Sequence, residues 1–77
     1  MSKLPLVDAK ELEKFLLYVG FYKKRQKGSH AFYKHEDGRY TTLPHHRGRV
    51  ISRPLLMQIL NQIQITPEEY IRLLKEI

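Results

Sequence analysis

One histidine has the neighbours that proton-transfer chemistry on a phosphate requires. His30 follows Gly28 and Ser29 directly, and the basic run Lys23-Lys24-Arg25-Gln26-Lys27 precedes them. Histidine is the one side chain whose unperturbed pKa lets it give and accept protons near neutral pH. Lysine and arginine supply the positive charge that stabilises a reacting phosphate. We therefore predict that His30 is the centre of any active site in this chain; the alternative is an ordinary strand histidine at the surface.

Other residues of the same chemistry flank His30 in the chain. His46 is a candidate second proton-transfer group, although adjacent histidines in a basic loop also serve as plain phosphate contacts. His35 and His45 are predicted to be surface residues. The predicted phosphate contacts are Lys24, Arg25, Lys27, Ser29, Arg47 and Arg49. We expect no metal site, because no two histidines have the His-x-x-x-His spacing and the surrounding positive charge repels a cation.

The net charge of +6 is concentrated in the middle of the chain. Residues 23–53 contain nine lysines and arginines against two acids, whereas the rest of the chain has five against six. Such a concentration favours a polyanionic partner, nucleic acid above all, over the alternative of a merely solvated basic surface. Cleavage of RNA by its own 2′-hydroxyl needs a base, an acid and cations on the phosphate, and these residues supply all of them.

Length and composition set further limits. The 77 residues suffice for one small domain, and the absence of cysteine means that apolar packing alone must stabilise it. No apolar run is long enough to cross a bilayer, and the N-terminus lacks an export pattern. We expect a cytoplasmic protein that needs no cofactor.

Capping residues and apolar stripes predict the helices. Asp8 and Glu11 form a capping box for the first helix, which Gly20 ends. Ser52 and Thr66 are predicted N-caps of two further helices. The apolar stripes are Leu12, Phe15, Leu16 and Val19 in the first helix, Leu56, Ile59, Leu60 and Ile63 in the second, and Tyr70, Leu73, Leu74 and Ile77 in the third.

Three strands are predicted between the first two helices. They are Phe21–Gln26, with Phe21, Lys23 and Arg25 on one side, then His30–Lys34, and then Tyr40–Leu43, which Pro44 ends. Asp37-Gly38 is a hairpin signal, and residues 45–51 are predicted to be a loop. Alternation puts His30 and Phe32 on one face of the second strand and Ala31 and Tyr33 on the other.

These elements predict an α+β fold, a small two-layer sandwich of α-β-β-β-α order with a short extra C-terminal helix. An antiparallel sheet of three strands needs cover on one face, and the apolar helices are the available cover. The basic residues then lie on the other face or its rim. One of Phe32 and Tyr33 is expected in the core, while a ring left exposed could stack on bases. Tyr22 and Tyr40 are undecided between these roles.

The order of elements and one motif resemble the HicA toxins. The motif is Arg25-Gln26-Lys27-Gly28-Ser29-His30, followed by Phe32-Tyr33 and, after the third strand, by Pro44-x-His46. The resemblance covers about residues 8–74 and implies a bacterial or archaeal mRNA interferase with a double-stranded-RNA-binding-domain-like fold. It makes His30 the catalytic histidine, His46 the loop histidine and Arg49 a basic site residue. It also implies a HicB-type antitoxin as partner, and one HicA-like domain over residues 1–77.

The sequence departs from the family pattern where Arg53-Pro54 replaces the common Pro-Gly, which leaves the start of the second helix open. Two functions are compatible with the residues. The first is a metal-independent endoribonuclease that acts as a toxin of a type II toxin–antitoxin system until its antitoxin binds. The second is a non-catalytic RNA-binding module in which His30 only contacts a phosphate.

Overall fold

Within residues 4–77, which the computed structural model describes, the chain forms a helix, a three-stranded sheet and two more helices. The elements are α1 (Ala9–Tyr18), β1 (Tyr22–Lys27), β2 (His30–Lys34), β3 (Tyr40–Pro44), α2 (Arg53–Gln62) and α3 (Pro67–Leu74). This order confirms the predicted α-β-β-β-α pattern with its extra C-terminal helix. None of the helices in this part of the chain is long and apolar enough to span a membrane.

Local sequence determines both ends of α1. Asp8 accepts a hydrogen bond from the N–H of Glu11 at 2.8 Å, and Glu11 accepts one from the N–H of Asp8 at 3.2 Å, which confirms the capping box. Gly20 ends the helix at φ +98°, a conformation that L side chains rarely adopt. Its N–H and that of Phe21 bond back to carbonyls in the last turn, as in a Schellman motif. Phe21 is thereby buried, and β1 starts one residue later than predicted.

The sheet has the antiparallel order β1-β2-β3 and two different faces. Side chains directly opposite each other in antiparallel strands lie on the same face, so the pairing assigns each residue. We call one side the helix face; its buried members are Ala31, Tyr33, Thr41 and Leu43. The other is the open face, which carries Tyr22, Arg25, Lys27, His30, Phe32, Lys34, Tyr40, Thr42 and Pro44. The predicted alternation in β2 is therefore confirmed.

A bulge in β1 overturns the predicted alternation of the first strand. Lys23 and Arg25 were predicted on the same side, but Lys23 pairs with Tyr33 and Arg25 with Phe32. Since Tyr33 and Phe32 point to opposite faces, Lys23 and Arg25 do so as well. Lys24 is the extra residue of the bulge, which shifts the pleat by one position. Lys23 turns toward α1, and Arg25 joins the open face.

Both apolar helices pack on the helix face, as predicted. The buried stripes of α1 and α2 form one core with the sheet; its helical members are Leu12, Phe15, Leu16, Leu56, Ile59, Leu60 and Ile63. The rings of Phe15 and Tyr70 meet edge to face with centroids 5.1 Å apart, so α3 extends the same core. Ile77 was predicted to face inward but is 46% exposed, because α3 ends at Leu74 and the chain leaves the core beyond it.

Capping also determines the start of α2, which the sequence left open. Ser52 accepts a hydrogen bond from the N–H of Leu55 at 3.4 Å, and Pro54 lies in the first turn. Proline is tolerated there because the first helical N–H groups have no partner within the helix. Thr66 and Glu69 form a second capping box at the start of α3.

Candidate functional site

His30 is the first residue of β2, and its side chain lies exposed on the open face. It pairs with Lys27 of β1 and with Pro44 of β3. Directly opposed side chains of an antiparallel pair have Cβ atoms about 4.5–5.5 Å apart. The pairing therefore places the His30 and Lys27 side chains next to each other at one end of the open face.

The turn between β1 and β2 holds His30 at this position. Gly28 has φ +60° and is the first of the two turn residues, where a type II′ hairpin turn needs a positive φ. Its carbonyl accepts a hydrogen bond from the Gln26 side chain at 3.1 Å. Ser29 is partly exposed, and its carbonyl accepts one from the N–H of His45 at 2.7 Å. The glycine of the motif is thus a backbone requirement that fixes where the histidine emerges.

The basic loop, residues 45–51, is anchored by its backbone at both ends. The bond from His45 to Ser29 holds its start, and the N–H of Ile51 bonds to the carbonyl of Val7 at 2.8 Å. Within the loop, the N–H of Arg49 bonds to the carbonyl of His46 at 3.2 Å. Gly48, at φ +74°, occupies the third position of this turn, where a type II turn requires a positive φ. The loop is therefore built as a turn with Arg47 at its tip.

His46 lies between two shallow hollows of the surface. One hollow, of about 310 Å³, is lined by Lys10, His45, His46 and Arg47 together with the start of α1. The other, of about 200 Å³, is lined by His46, Arg49 and Ser52 among others. The structure thus brings His46, Arg47 and Arg49 together in one loop that begins beside Ser29. Lys24 and Arg25 lie apart from this loop, on β1, where the Arg25 guanidinium lies 4.7 Å from the centre of the Phe32 ring.

His45, predicted to be a surface residue, belongs instead to a partly buried polar cluster. The buried Tyr33 hydroxyl donates a hydrogen bond to the Glu13 carboxylate of α1. The His45 Nε2 atom lies 3.0 Å from the Tyr33 oxygen and 3.9 Å from Glu13 Oε2. Lys23 Nζ completes the cluster, 3.0 Å from Glu13 Oε2. Since the tyrosine donates to the carboxylate, its oxygen is left to accept from His45.

Glu13 is ionised within this cluster, beside the Lys23 ammonium. Partial burial alone would raise the pKa of Glu13, but the hydrogen bond from Tyr33 and the Lys23 ammonium outweigh it and lower that pKa below its ordinary 4.5. Burial and the neighbouring carboxylate raise the pKa of Tyr33. At neutral pH the cluster therefore contains an ionised carboxylate and a neutral tyrosine. The sequence does contain a signal for the position of His45. In a strand every second side chain lies on the same face, and His45 follows Thr41 and Leu43 in this alternation, both of which face the helices.

A known protein family matches the part of the chain that contains the candidate site residues. Residues 9–65 match the family model described as HicA toxin of bacterial toxin-antitoxin. The chain belongs to the HicA toxin family. The matched segment contains α1, the sheet, the basic loop and α2, and thus every predicted site residue. Among curated proteins no relative matches the chain.

Membership of the HicA family confirms the resemblance noted from the motif and implies a cognate antitoxin as partner. His35, another predicted surface histidine, is partly buried and serves the scaffold of this HicA chain. It packs edge to face on Phe21 with ring centroids 5.1 Å apart, and it covers Gly20, where a Cβ atom would lie 2.8 Å from its Nε2. In the described residues 4–77, no three histidine or carboxylate side chains gather into a group able to hold a metal ion.

Proposed function

We propose that this chain is a toxin of a type II system that cleaves mRNA as a metal-independent endoribonuclease and so inhibits translation. Family membership supports the toxin part of the proposal. The ribonuclease part is carried by one observation: an exposed histidine, His30, is paired with Lys27 on a cationic sheet face. Proton transfer and phosphate neutralisation are the two functions that cleavage by a 2′-hydroxyl needs from a protein.

The reaction we propose needs two proton transfers, one from the attacking 2′-hydroxyl and one to the departing 5′-oxygen. The 2′-oxygen of a nucleotide attacks the adjacent phosphorus, a 2′-O–P bond forms and the P–O5′ bond breaks. His30 accepts the proton of the 2′-hydroxyl or donates one to the departing 5′-oxygen. Lys27 neutralises the charge that grows on the non-bridging oxygens. The products are a 2′,3′-cyclic phosphate and a 5′-hydroxyl, and no cofactor takes part.

The basic loop supplies the remaining groups of the proposal. His46 is the proposed second proton-transfer group, since its loop begins just after Pro44, the β3 partner of His30. Arg47 and Arg49 are proposed to bind the flanking phosphates. The other proposed phosphate contacts are Lys24, Arg25 and Ser29.

The experiment compares His30→Ala with the unmodified protein on a labelled single-stranded RNA. We expect a loss of cleavage of about 10²–10⁴-fold, as for general acid–base groups, with little change in RNA affinity, which comes mainly from the basic residues. Cleavage by the unmodified protein should persist in EDTA and stop when the 2′-hydroxyl at the scissile position is removed. Gln58→Ala, at an exposed position of α2, is the control for handling and folding. Equal cleavage by wild type and His30→Ala would show that His30 is not catalytic.

A non-catalytic RNA-binding module is the second candidate, and one observation favours it. Among the described residues, none forms a side-chain hydrogen bond with His30, so the structure does not hold its ring in one orientation. A phosphate-binding histidine needs no such orientation. If neither protein cuts the RNA and both bind it equally, this second function is the better one.

The proposed function also requires binding partners and a cellular location. The proposed partners are mRNA and a HicB-type antitoxin, with no membrane and no small-molecule cofactor. Family membership supports the antitoxin, and the net charge of +6 supports the RNA. We also propose a cytoplasmic location, where mRNA is available, and a single HicA-like domain of double-stranded-RNA-binding-domain-like fold over residues 1–77.

A further inference from the structure

No described helix covers the open face of the sheet. Pairing arranges its residues in three rows across the strands: Tyr22, Lys34 and Tyr40; Arg25, Phe32 and Thr42; Lys27, His30 and Pro44. His30 thus belongs to the last row of an ordered surface. Rows on one face of a sheet repeat every two residues, or about 6.6–6.8 Å.

Aromatic rings occupy the first two rows. Tyr40 is 65% exposed and Tyr22 is 45% exposed, and Phe32 is partly exposed between them and His30. Large aromatic side chains dominate protein cores, and the core of this chain does take up Phe15, Tyr33 and others. Three rings on this sheet face therefore lie outside the core, where they are exposed or partly exposed.

Cations stand in the same rows as these rings, on strands that carry no carboxylate. Lys34 stands in the row of the two tyrosines, and the Arg25 guanidinium lies 4.7 Å from the centre of the Phe32 ring. The residues of β1, β2 and β3 include no aspartate or glutamate. A shallow groove of about 400 Å³ runs over this area, and Lys24, Arg25, Phe32, Lys34 and Tyr40 line it. Rings beside cations form the combination that binds unpaired bases together with their phosphates.

We propose that the open face is the docking platform for single-stranded RNA, with bases stacked on Tyr22, Tyr40 and Phe32. This inference rests on the proposed function and names the form of its substrate. Bases of a duplex are stacked on each other, so their faces are closed to protein rings, whereas an unpaired strand offers each base to an aromatic side chain. The positively charged side chains of Arg25, Lys34 and Lys27 bind the phosphates of the same strand. The RNA strand crosses the rows from the tyrosines to His30. Cleavage therefore takes place at the end of the platform that carries His30.

The test measures binding of a short fluorescent RNA that is 2′-O-methylated throughout, so that no protein can cleave it. Affinity is measured by anisotropy at one fixed salt concentration, for the single strand and for its duplex. We expect wild type to prefer the single strand. Each of Tyr22→Ala and Tyr40→Ala should weaken single-strand binding by roughly 5- to 100-fold, the range for the loss of one base-stacking ring.

Matched variants separate stacking from folding and from charge. Tyr18→Ala removes a tyrosine of similar exposure, 49%, from α1, and it should bind the RNA as wild type does. Tyr22→Phe and Tyr40→Phe keep the ring and should keep the affinity. Wild-type affinity in the two alanine variants, an equal loss in Tyr18→Ala, or equal binding of single strand and duplex would each overturn the platform.

Two further outcomes keep this inference separate from the catalytic proposal. If His30→Ala cleaves RNA normally while Tyr40→Ala still loses single-strand affinity, the platform stands and the catalytic assignment falls. If the tyrosine variants bind RNA normally but no longer copurify with the antitoxin, the open face binds protein and the platform is wrong.

Discussion

The hydroxyl of Tyr33 is a residue-scale feature that contributes to stability. It is buried and links the Glu13 carboxylate of α1 to His45 at the start of the basic loop. Hydrogen bonds to charged groups contribute about 1.5–3 kcal/mol, and a buried partner left unsatisfied adds to the loss. A single oxygen atom therefore connects the helix layer to the segment that carries His46 and Arg47.

Tyr33→Phe should lower the free energy of unfolding by about 1–3 kcal/mol, because Glu13 and His45 both lose this partner. Urea denaturation followed by circular dichroism measures the change. Tyr40→Phe is the matched control, since its hydroxyl belongs to a tyrosine that is 65% exposed on the same sheet; it should change stability by less than about 0.5 kcal/mol. Equal stability of Tyr33→Phe and wild type would mean that the cluster is not a stabilising contact.

Glu13 should also give the protein part of its acid sensitivity. Its folded-state pKa lies below the ordinary value of 4.5, through Tyr33 and Lys23 acting against partial burial. A group with a depressed folded pKa stabilises the fold above its unfolded pKa, and this stabilisation is lost as the pH falls through the folded pKa. Glu13→Gln should therefore lose less stability than wild type when the pH is lowered from neutral to below 4.5.

Thermal unfolding at a series of pH values tests the role of Glu13. Glu36→Gln, at an exposed position of the β2–β3 turn, removes the same charge and should keep the wild-type pH dependence. Some acid sensitivity should remain in Glu13→Gln, because the backbone and side chain of Arg39 also lower the pKa of Asp37. Identical pH profiles for Glu13→Gln and wild type would contradict the assignment.

At this scale the sequence predicted which face of a strand a side chain occupies better than the long-range contacts that the side chain makes. Alternation in β2 correctly separated Tyr33 from Phe32, because a strand with one buried face has a strict period of two. His45 was misjudged because the predicted third strand ended at Pro44, so that the alternation of Thr41 and Leu43 was not continued into the loop; its partner Glu13 lies 32 residues earlier in the chain. A contact of that range leaves no local pattern.

Among the elements, the C-terminal ends of α1 and α2 form a natural comparison. Both end with a residue of positive φ and with backbone bonds back into the last turn. In α1 that residue is Gly20, but in α2 it is Gln64, at φ +58°. The left-handed conformation costs a residue with a side chain roughly 1–2 kcal/mol, so the end of α2 stores strain that the end of α1 avoids.

Gln64→Gly should stabilise the protein by about 0.5–1 kcal/mol, since relief of the strain exceeds the added entropy of glycine in the unfolded chain. Gly20→Ala is the counterpart and should destabilise by at least about 1 kcal/mol, because it introduces the same strain. Its Cβ would also lie 2.8 Å from His35 Nε2. Melting temperatures of the two variants should move in opposite directions; a shift in the same direction would contradict the comparison.

The elements themselves were largely predictable, because capping residues and apolar stripes are local. Asp8, Ser52 and Thr66 all cap the helices predicted for them. The bulge at Lys24 was not predictable, since a bulge is defined by the partner strand and leaves β1 with the same basic sequence in either register. Its effect is large for the candidate site, because it sends Lys23 to the cluster and Arg25 to the open face.

On the scale of the whole molecule, the sheet strands carry cations but no carboxylates. The cations of β1, of the open face and of the basic loop all belong to the middle of the chain. Four of the eight carboxylates lie in helices, and three of these, Glu11, Glu68 and Glu69, lie in first turns; the three strands carry none. Acidic side chains stabilise helix N-termini. Because these acids lie in the first turns of helices, the end of the open face that carries Lys27 and His30 has no carboxylate in its strands.

This separation predicts an acidic antitoxin that covers His30 and the surrounding Lys27, Arg47 and Arg49. Opposite charges speed diffusional encounter and make its rate sensitive to salt. Association measured by stopped flow should therefore slow as salt is raised, while dissociation changes less. Lys27→Glu should slow association more than Lys75→Glu, which makes the same change of charge just beyond the end of α3.

Chemical modification of histidine shows whether covering the site is the means of inhibition. His30 is exposed in the free protein and should react readily with diethyl pyrocarbonate, whereas in the copurified complex it should be protected. His35, partly buried against Phe21 on the scaffold, is the internal reference and should react equally in both samples. A stable complex in which His30 remains as reactive as in the free toxin would rule out occlusion. Inhibition would then have to come from contacts elsewhere on the proposed site, either on the basic loop with His46, Arg47 and Arg49 or on the rings of the open face.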